Sequence, residues 1–295
     1  MDRSDAGGEP RQAFDRRLGE LRPKLHRYCA RMTGSVFDGE DVLQDALGRA
    51  VQVFDPAAPP ANLEAWLFRI AHNTAIDFLR RRSRQAKLFS HEDADVIPDP
   101  APNAEDRHAA ASNMRAFLAL PVLQRSSVIL MDLLGYSLDE IGDLLEATIP
   151  AVKAALHRGR ARLRSTAAVE TPRPTRLDTA QRALLARYVD HFNARDFDAI
   201  RTMIADDVRL ELVNKTRLNG KAEVSRYFGN YDKARDWHLV PGLVEGRPAI
   251  LVFDPNEPGA GPKYFMLVDW QAGKIATIRD FRHATYVVDG LEYRT

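Results

Sequence analysis

The sequence predicts a multidomain chain: two all-α parts, a helical bundle and a helix-turn-helix, followed by an α+β cone. Three observations carry that prediction. Apolar residues recur every three or four positions from Phe14 to Phe78 and again from Met114 to Leu163. Between these stretches, the segment from Glu92 to Asp106 holds Glu92, Asp93, Asp95, Asp99, Glu105 and Asp106 with Pro98, Pro100 and Pro102 and no Lys or Arg, a composition that makes a tether and no core. After a TPRPTR bridge, short alternating runs such as VRLELV and YFMLVDW replace the helical spacing. These shifts set a disordered N-terminus over 1–13, the bundle over 14–84, an acidic linker over 85–111, the helix-turn-helix part over 112–168, a linker over 169–177 and the cone over 178–295.

In the bundle, Phe14, Leu18, Leu21, Leu25 and Tyr28 share one face of a helix over 14–35, with Arg22, Lys24, Arg27 and Arg31 on the others. A second helix is predicted over 38–53, its apolar side made of Val42, Leu43, Ala46, Leu47 and Val51. Its acids, Asp38, Glu40, Asp41 and Asp45, suit the helix dipole and, with Gln44, form an exposed anionic face for a basic partner. The loop DPAAPPAN ends it. A third helix over 63–84 packs Leu63, Trp66, Leu67, Ile70, Thr74 and Phe78 inward. Asn73, Asp77, Arg80 and Arg81 form a polar ridge on it, and Arg80, Arg81, Arg82 and Arg84 read as a phosphate clamp.

In the next part, 113–135 is predicted helical, its apolar residues closing a small core with the helix-turn-helix. Ser137 and Glu140 then form a capping box ahead of Leu138, Ile141, Leu144 and Leu145. Thr148 is placed to cap another helix, Pro150 falls in its first turn, and Val152, Leu156 and Leu163 keep one face apolar. Lys153, Arg158, Arg160, Arg162 and Arg164 make its other face cationic, on a chain whose net charge is only +1. Such a pair of helices is helix-turn-helix geometry, the second helix suited to a major groove.

Composition excludes several classes. A near-neutral chain is no uniformly basic polyanion binder, so contacts to nucleic acid must come from local patches. No apolar run approaches the roughly 20 residues that span a bilayer, and MDRSDAGGEPRQ has no signal-peptide core, so a cytoplasmic protein without membrane contact is expected. Cys29 is the single cysteine, which forbids an intramolecular disulfide and a Cys-cluster metal site. With no metal-ligand spacing, phosphate-cradling glycine loop or nucleophile elbow, no metal, cofactor or catalytic residue is expected.

EDVLQDAL in an acidic helix, a Pro-containing loop, AWLFRIAHNTAIDFLRRR, an acidic tether and a C-terminal helix-turn-helix together resemble the extracytoplasmic-function sigma factors, bacterial RNA polymerase subunits of the sigma-70 type. The resemblance covers 14–168 and implies binding to core RNA polymerase and to promoter DNA. Carried over, it makes Asp41, Gln44 and Asp45 core-binding residues. It makes the loop Pro60, Ala61 and Asn62 a pocket for a flipped base, and it puts Asn73, Asp77, Arg80, Arg81 and Arg84 on the upstream −10 element. An unstacked base needs a shaped pocket, and a melted junction needs cations. Thr148, Lys153, Ala154, His157 and Arg158 would face the −35 element, where Lys153 and Arg158 can reach guanine edges or phosphates and Ala154 offers an apolar contact.

The cone opens with helical segments at 184–193 and 198–204, a further helix at 220–231, and strands in a strongly curved antiparallel sheet. YVDHFNARDFDAIRTMIADDVRLE resembles the start of the SnoaL-like superfamily, which implies a pocket inside the cone. His191, Tyr227, Trp237, His238, Tyr264, Arg279 and Asp280 are its candidate lining, open to a small-molecule ligand or a regulatory protein. On this reading the cone modulates a sigma factor. Two other classes fit parts of the sequence. A small-molecule-sensing helix-turn-helix regulator would leave the acidic and Trp-containing helices without a role, and a SnoaL-type isomerase or hydratase with a DNA-binding arm would need a catalytic pair.

Overall fold

In a computed structural model, residues 8–89, 114–166, 179–234, 236–289 and 291–295 are described. The chain divides into two compact units, Met1–Glu170 and Thr171–Thr295.

The first unit begins with helices α1 (Gly8–Thr33), α2 (Val36–Val53) and α3 (Leu63–Phe89). The start of α1 corrects the expectation of disorder through residue 13, since residues 8–13 continue the helix. Ser35 accepts hydrogen bonds from the backbone N–H groups of Phe37 and Asp38, and this cap starts α2 two residues earlier than the acids suggested. Gly39 lets α1 and α2 touch: a Cβ there would sit 2.4 Å from Ala30 Cα. Leu21, Leu25, Tyr28 and Cys29 from α1, Leu43 and Ala46 from α2, and Leu67, Phe68 and Ala71 from α3 are buried together. α3 runs to Phe89, into the stretch expected as linker. The acid-rich stretch from Glu92 to Asp106 and the linker 169–177 lie outside the described residues.

The helix expected from 113 to 135 is interrupted. A 3-10 helix, Met114–Ala119, precedes Pro121, which stands at the N-cap of α4 (Val122–Val128), and α4 widens into a π turn, Ile129–Leu133. α5 (Leu138–Leu145) carries the predicted capping box: Ser137 Oγ accepts from Glu140 N–H, and the Glu140 carboxylate accepts from Ser137 N–H at 2.8 Å. Helix α6 (Ile149–Thr166) follows, with Val152, Leu156 and Leu163 buried. The bundle and the helix-turn-helix part share one hydrophobic cluster rather than owning separate cores.

The second unit holds α7 (Thr179–Asn193), α8 (Phe197–Met203) and α9 (Lys221–Lys233) with strands β1 (Ile204–Leu212), β2 (Thr216–Asn219), β3 (His238–Val244), β4 (Arg247–Phe253), β5 (Tyr264–Gln271), β6 (Lys274–Asp280) and β7 (Tyr293–Arg294). They form one sheet in the order β2-β1-β6-β5-β4-β3-β7. The sheet is mixed, which corrects the antiparallel expectation: β1 pairs with β6 in parallel, Leu210 opposite Ile278 and Leu212 opposite Asp280. Four antiparallel strands must return the chain to β1, and the last of them arrives running the same way as β1. β2 was not legible because TRLN is short and polar, as an exposed edge strand requires.

Candidate functional site

The acids of α2 divide into two populations. Asp41 and Asp45 are exposed, one turn apart, on a common face. Glu40, expected on that face, is instead buried and bound by Arg22 at 2.7 Å, and it also accepts from Gln44 Nε2 at 2.8 Å. Asp38 is held by Arg82 at 2.8 Å. Two acids therefore hold the fold, and two remain on the surface with Gln44 beside them.

Along α3, Asn73, Asp77, Arg80, Arg81 and Arg84 stand at helical spacing, so the structure brings this group onto one stripe. Asp77 lies 3.7 Å from Arg49 and 4.0 Å from Arg80. Arg81 and Arg84 donate back to the carbonyls of Asp77 and Arg80, one turn earlier. Arg82 is turned to Asp38 and leaves the expected four-arginine clamp with Arg80, Arg81 and Arg84. Asn62 sits before α3, its Oδ1 accepting from Ala65 N–H at 3.0 Å. Pro60 lines a different, apolar groove with Phe14, Phe54 and Leu63, while Ala61 is exposed.

Asn62 lines a cleft of about 210 Å³ together with Lys24, Glu64, Tyr136, Glu140 and Asp143. Glu64 is its hub, accepting from Lys24 Nζ and Tyr136 Oη, each at 2.6 Å, and from Arg17 at 3.2 Å. Burial disfavours the Glu64 charge, but the bonds from Lys24 and Tyr136 outweigh it and hold the carboxyl below its usual range. Nearby, Arg69 meets Glu146 at 3.2 Å and the Asp143 carbonyl at 3.1 Å. Buried Arg125 donates to the carbonyls of Met32, Leu118 and Leu120. The bundle and helix-turn-helix part are thus joined by polar bonds as well as apolar packing.

On α6, Lys153, His157 and Arg158 are exposed and Ala154 is half-buried, four residues from Arg158. Thr148 caps weakly, with Ala151 N–H 3.4 Å from its Oγ1. The cationic face is smaller than expected. Arg160 is turned onto Asp132, with Nε 2.9 Å from Oδ2, and Arg164 is half-buried.

In the cone the structure brings together Tyr227, Trp237, Tyr264 and Asp280 from the expected lining. Asp280 is 1% exposed; its Oδ2 accepts from Tyr231 Oη at 2.5 Å and Tyr227 Oη at 3.1 Å, and its Oδ1 from Arg282 N–H at 2.9 Å. Burial raises its carboxyl pKa in spite of those bonds. Arg279, its neighbour on β6, projects the other way, as strand geometry demands, and pairs with Glu211 at 2.9 Å. His238 is exposed beside buried Trp237 and Leu239, and His191 faces Asp196 at 3.4 Å. Sequence reasoning missed Tyr188 and Tyr231, both fully buried. The spacing signals were present: Tyr231 is one turn after Tyr227, and Tyr188 one turn before buried Phe192.

Residues 18–85 match the model of sigma-70 region 2, residues 114–163 that of sigma-70 region 4, and residues 185–280 that of the SnoaL-like domain. The chain is 30% identical to the ECF RNA polymerase sigma factor SigG of Mycobacterium tuberculosis over 316 aligned positions, covering 95% of this chain and 85% of SigG. With the ECF RNA polymerase sigma factor SigE of Mycolicibacterium smegmatis it shares 33% identity over 159 positions, 52% of this chain and 60% of SigE. The solved structure of the M. tuberculosis extracytoplasmic function sigma factor SigJ aligns with 90% of this chain and 94% of its own at 19% identity, with a TM-score of 0.35.

Proposed function

Because the chain belongs to the extracytoplasmic-function (ECF) RNA polymerase sigma factors, we propose that it binds core RNA polymerase through the Asp41, Gln44 and Asp45 face of α2 and reads promoter DNA with α3 and α6. The observation that carries this reading is the similarity to SigG across 95% of the chain, cone included. The residue roles are supported by exposure: apart from half-buried Gln44 and Ala154, the candidate contacts on α2 and in both DNA elements are exposed, whereas Glu40 and Asp38 are consumed by the fold.

Asn73, Asp77, Arg80, Arg81 and Arg84 meet the −10 element, and Asn62 takes part in holding a flipped base. Thr148, Lys153, Ala154, His157 and Arg158 meet the −35 element. Glu140 and Asp143 line the same cleft as Asn62, and acids repel a phosphate backbone. The packed first unit is accordingly the form free of polymerase, and region 4 moves away from Asn62 before DNA enters. The cone modulates this activity without chemistry of its own, and the protein works in the cytoplasm. No helix among the described residues is long and apolar enough to cross a membrane.

Transcription reconstituted from core polymerase and the purified chain tests the reading. Promoter-specific initiation that depends on the chain is expected, and a protein truncated after Ala168 should keep core binding while its promoter activity changes. Failure of both forms to initiate on upstream DNA of their own genome would overturn it.

A further inference from the structure

We propose that Arg49, on α2, is a further residue of the promoter-reading surface: it holds the Asp77 carboxylate toward the amino group of a cytosine or adenine base in the −10 element. This rests on the promoter reading of α3 given above and deepens it, since that reading leaves Arg49 without a role and Asp77 without a chemistry. Asp77 is the odd member of its stripe. It shares the stripe with Arg80, Arg81 and Arg84, all exposed, on a face that meets phosphates, and phosphates repel a carboxylate.

Arg49 is the single cation of α2, whose other charges are Asp38, Glu40, Asp41 and Asp45. Asp45 stands one turn before it, an ordinary partner within a helix, yet the guanidinium turns across to α3, with Nη1 3.7 Å from Asp77 Oδ2. Arg80 Nη1 lies 4.0 Å from the other oxygen, Oδ1. The carboxylate thus sits between cations from two helices, and neither approach is as short as a hydrogen bond. Arg82 and Asp38 also join α3 to α2, but they bond at 2.8 Å with the Asp38 side chain only 22% exposed, so that pair ties the helices together. The side chains of Arg49 and Asp77 are 49% and 50% exposed, and such a pair contributes little to the fold. The flanking charges offset repulsion from phosphates while both Asp77 oxygens stay able to accept.

Base chemistry decides what Asp77 can accept from. Guanine N7 and O6 and thymine O4 are acceptors, which a carboxylate avoids, whereas cytosine N4 and adenine N6 donate. Asp77 therefore selects cytosine or adenine at one position. Arg49 acts through it as a positioning residue, fixing the direction of the carboxylate from the neighbouring helix.

The test is transcription by core polymerase plus the full chain on sheared DNA of the genome that encodes it, with start sites mapped by sequencing of transcript ends and the −10 elements aligned. The parent should show a −10 position held by cytosine or adenine. Asp77→Ala should cut that preference by about tenfold or more and leave the other positions as they were. Arg49→Ala should relax the same position by several-fold, Arg49→Lys should restore it, and the melting temperature of each variant should match the parent. The proposal is overturned if Asp77→Ala or Arg49→Ala keeps the parent's profile, if either weakens every promoter alike, or if the parent's elements hold only guanine and thymine. Arg80→Ala combined with Arg84→Ala separates it from the reading on which it rests. Weaker transcription from every promoter in that variant keeps α3 at the −10 element whatever Asp77 does. An unchanged level there, or no promoter-specific starts from the parent, overturns both.

Discussion

His72 ties acidity to the integrity of the first unit. Its Nδ1 lies 2.6 Å from Tyr28 Oη and 3.5 Å from Ser126 Oγ, and burial pushes its pKa down to about 4. Unfolded, the same ring titrates near 6.5. Between those values the unfolded chain carries a proton that the folded chain does not, so stability is full above pH 6.5 and falls as pH drops toward 4. The loss should reach about 3 kcal/mol, and buried His26 acts in the same direction. Urea melts across this range should show that slope, and His72→Gln should flatten it; an undiminished slope would assign the effect elsewhere. At the surface, Asp41→Lys with Asp45→Lys should leave the urea midpoint nearly unchanged, since exposed charges contribute little to stability, while core polymerase no longer co-purifies. Retained co-purification would move the contact to another face. Asp41 and Asp45 were readable from sequence together with Glu40, but their separation into surface and core was not. Only packing against Arg22 distinguishes Glu40, and Arg22 lies on another helix with no marker of its partner.

The elements depend on contacts that periodicity does not encode. Gly39 stands in the first turn of α2, where Gly→Ala ordinarily gains up to about 1 kcal/mol in propensity, yet here the added methyl meets the Ala30 backbone at 2.4 Å. Gly39→Ala should therefore destabilise the bundle, by about 2 kcal/mol or more, as read from the urea midpoint. A neutral result would mean that α1 and α2 part without cost. For α6, Lys153→Ala and Arg158→Ala should each weaken −35 DNA binding. A base contact would cost about 1–3 kcal/mol at one position, while a phosphate contact would weaken all sequences and reduce the salt slope. Full promoter binding by both variants would remove α6 from recognition. The capping box of α5 and the apolar stripe of α6 were legible because every term is local in sequence. The parallel pairing of β1 with β6 was not, because nothing near β1 names a partner that arrives after four more strands.

For the whole molecule, the joined first unit makes a specific demand. If Glu64 holds the core-free form shut, Tyr136→Phe combined with Lys24→Ala should raise the affinity of the free protein for promoter DNA by several-fold and enlarge its radius in solution scattering. Equal affinity and radius would show that Arg125 and the apolar cluster hold the unit alone. The change from helical spacing to alternating strand runs was legible in the sequence, whereas the shared cluster was not, since two amphipathic patterns look the same whether they close separately or on each other. The parallel β1–β6 pairing also imposes an order in time. As the chain leaves the ribosome, everything through α6 can fold before β6 exists, because β6 ends at Asp280. At roughly 5–20 residues per second, that lag is on the order of ten seconds. During each round of synthesis the helical unit is complete while β1 still waits for its sheet partner, so a newborn chain passes through an interval in which the first unit is present and the cone is not.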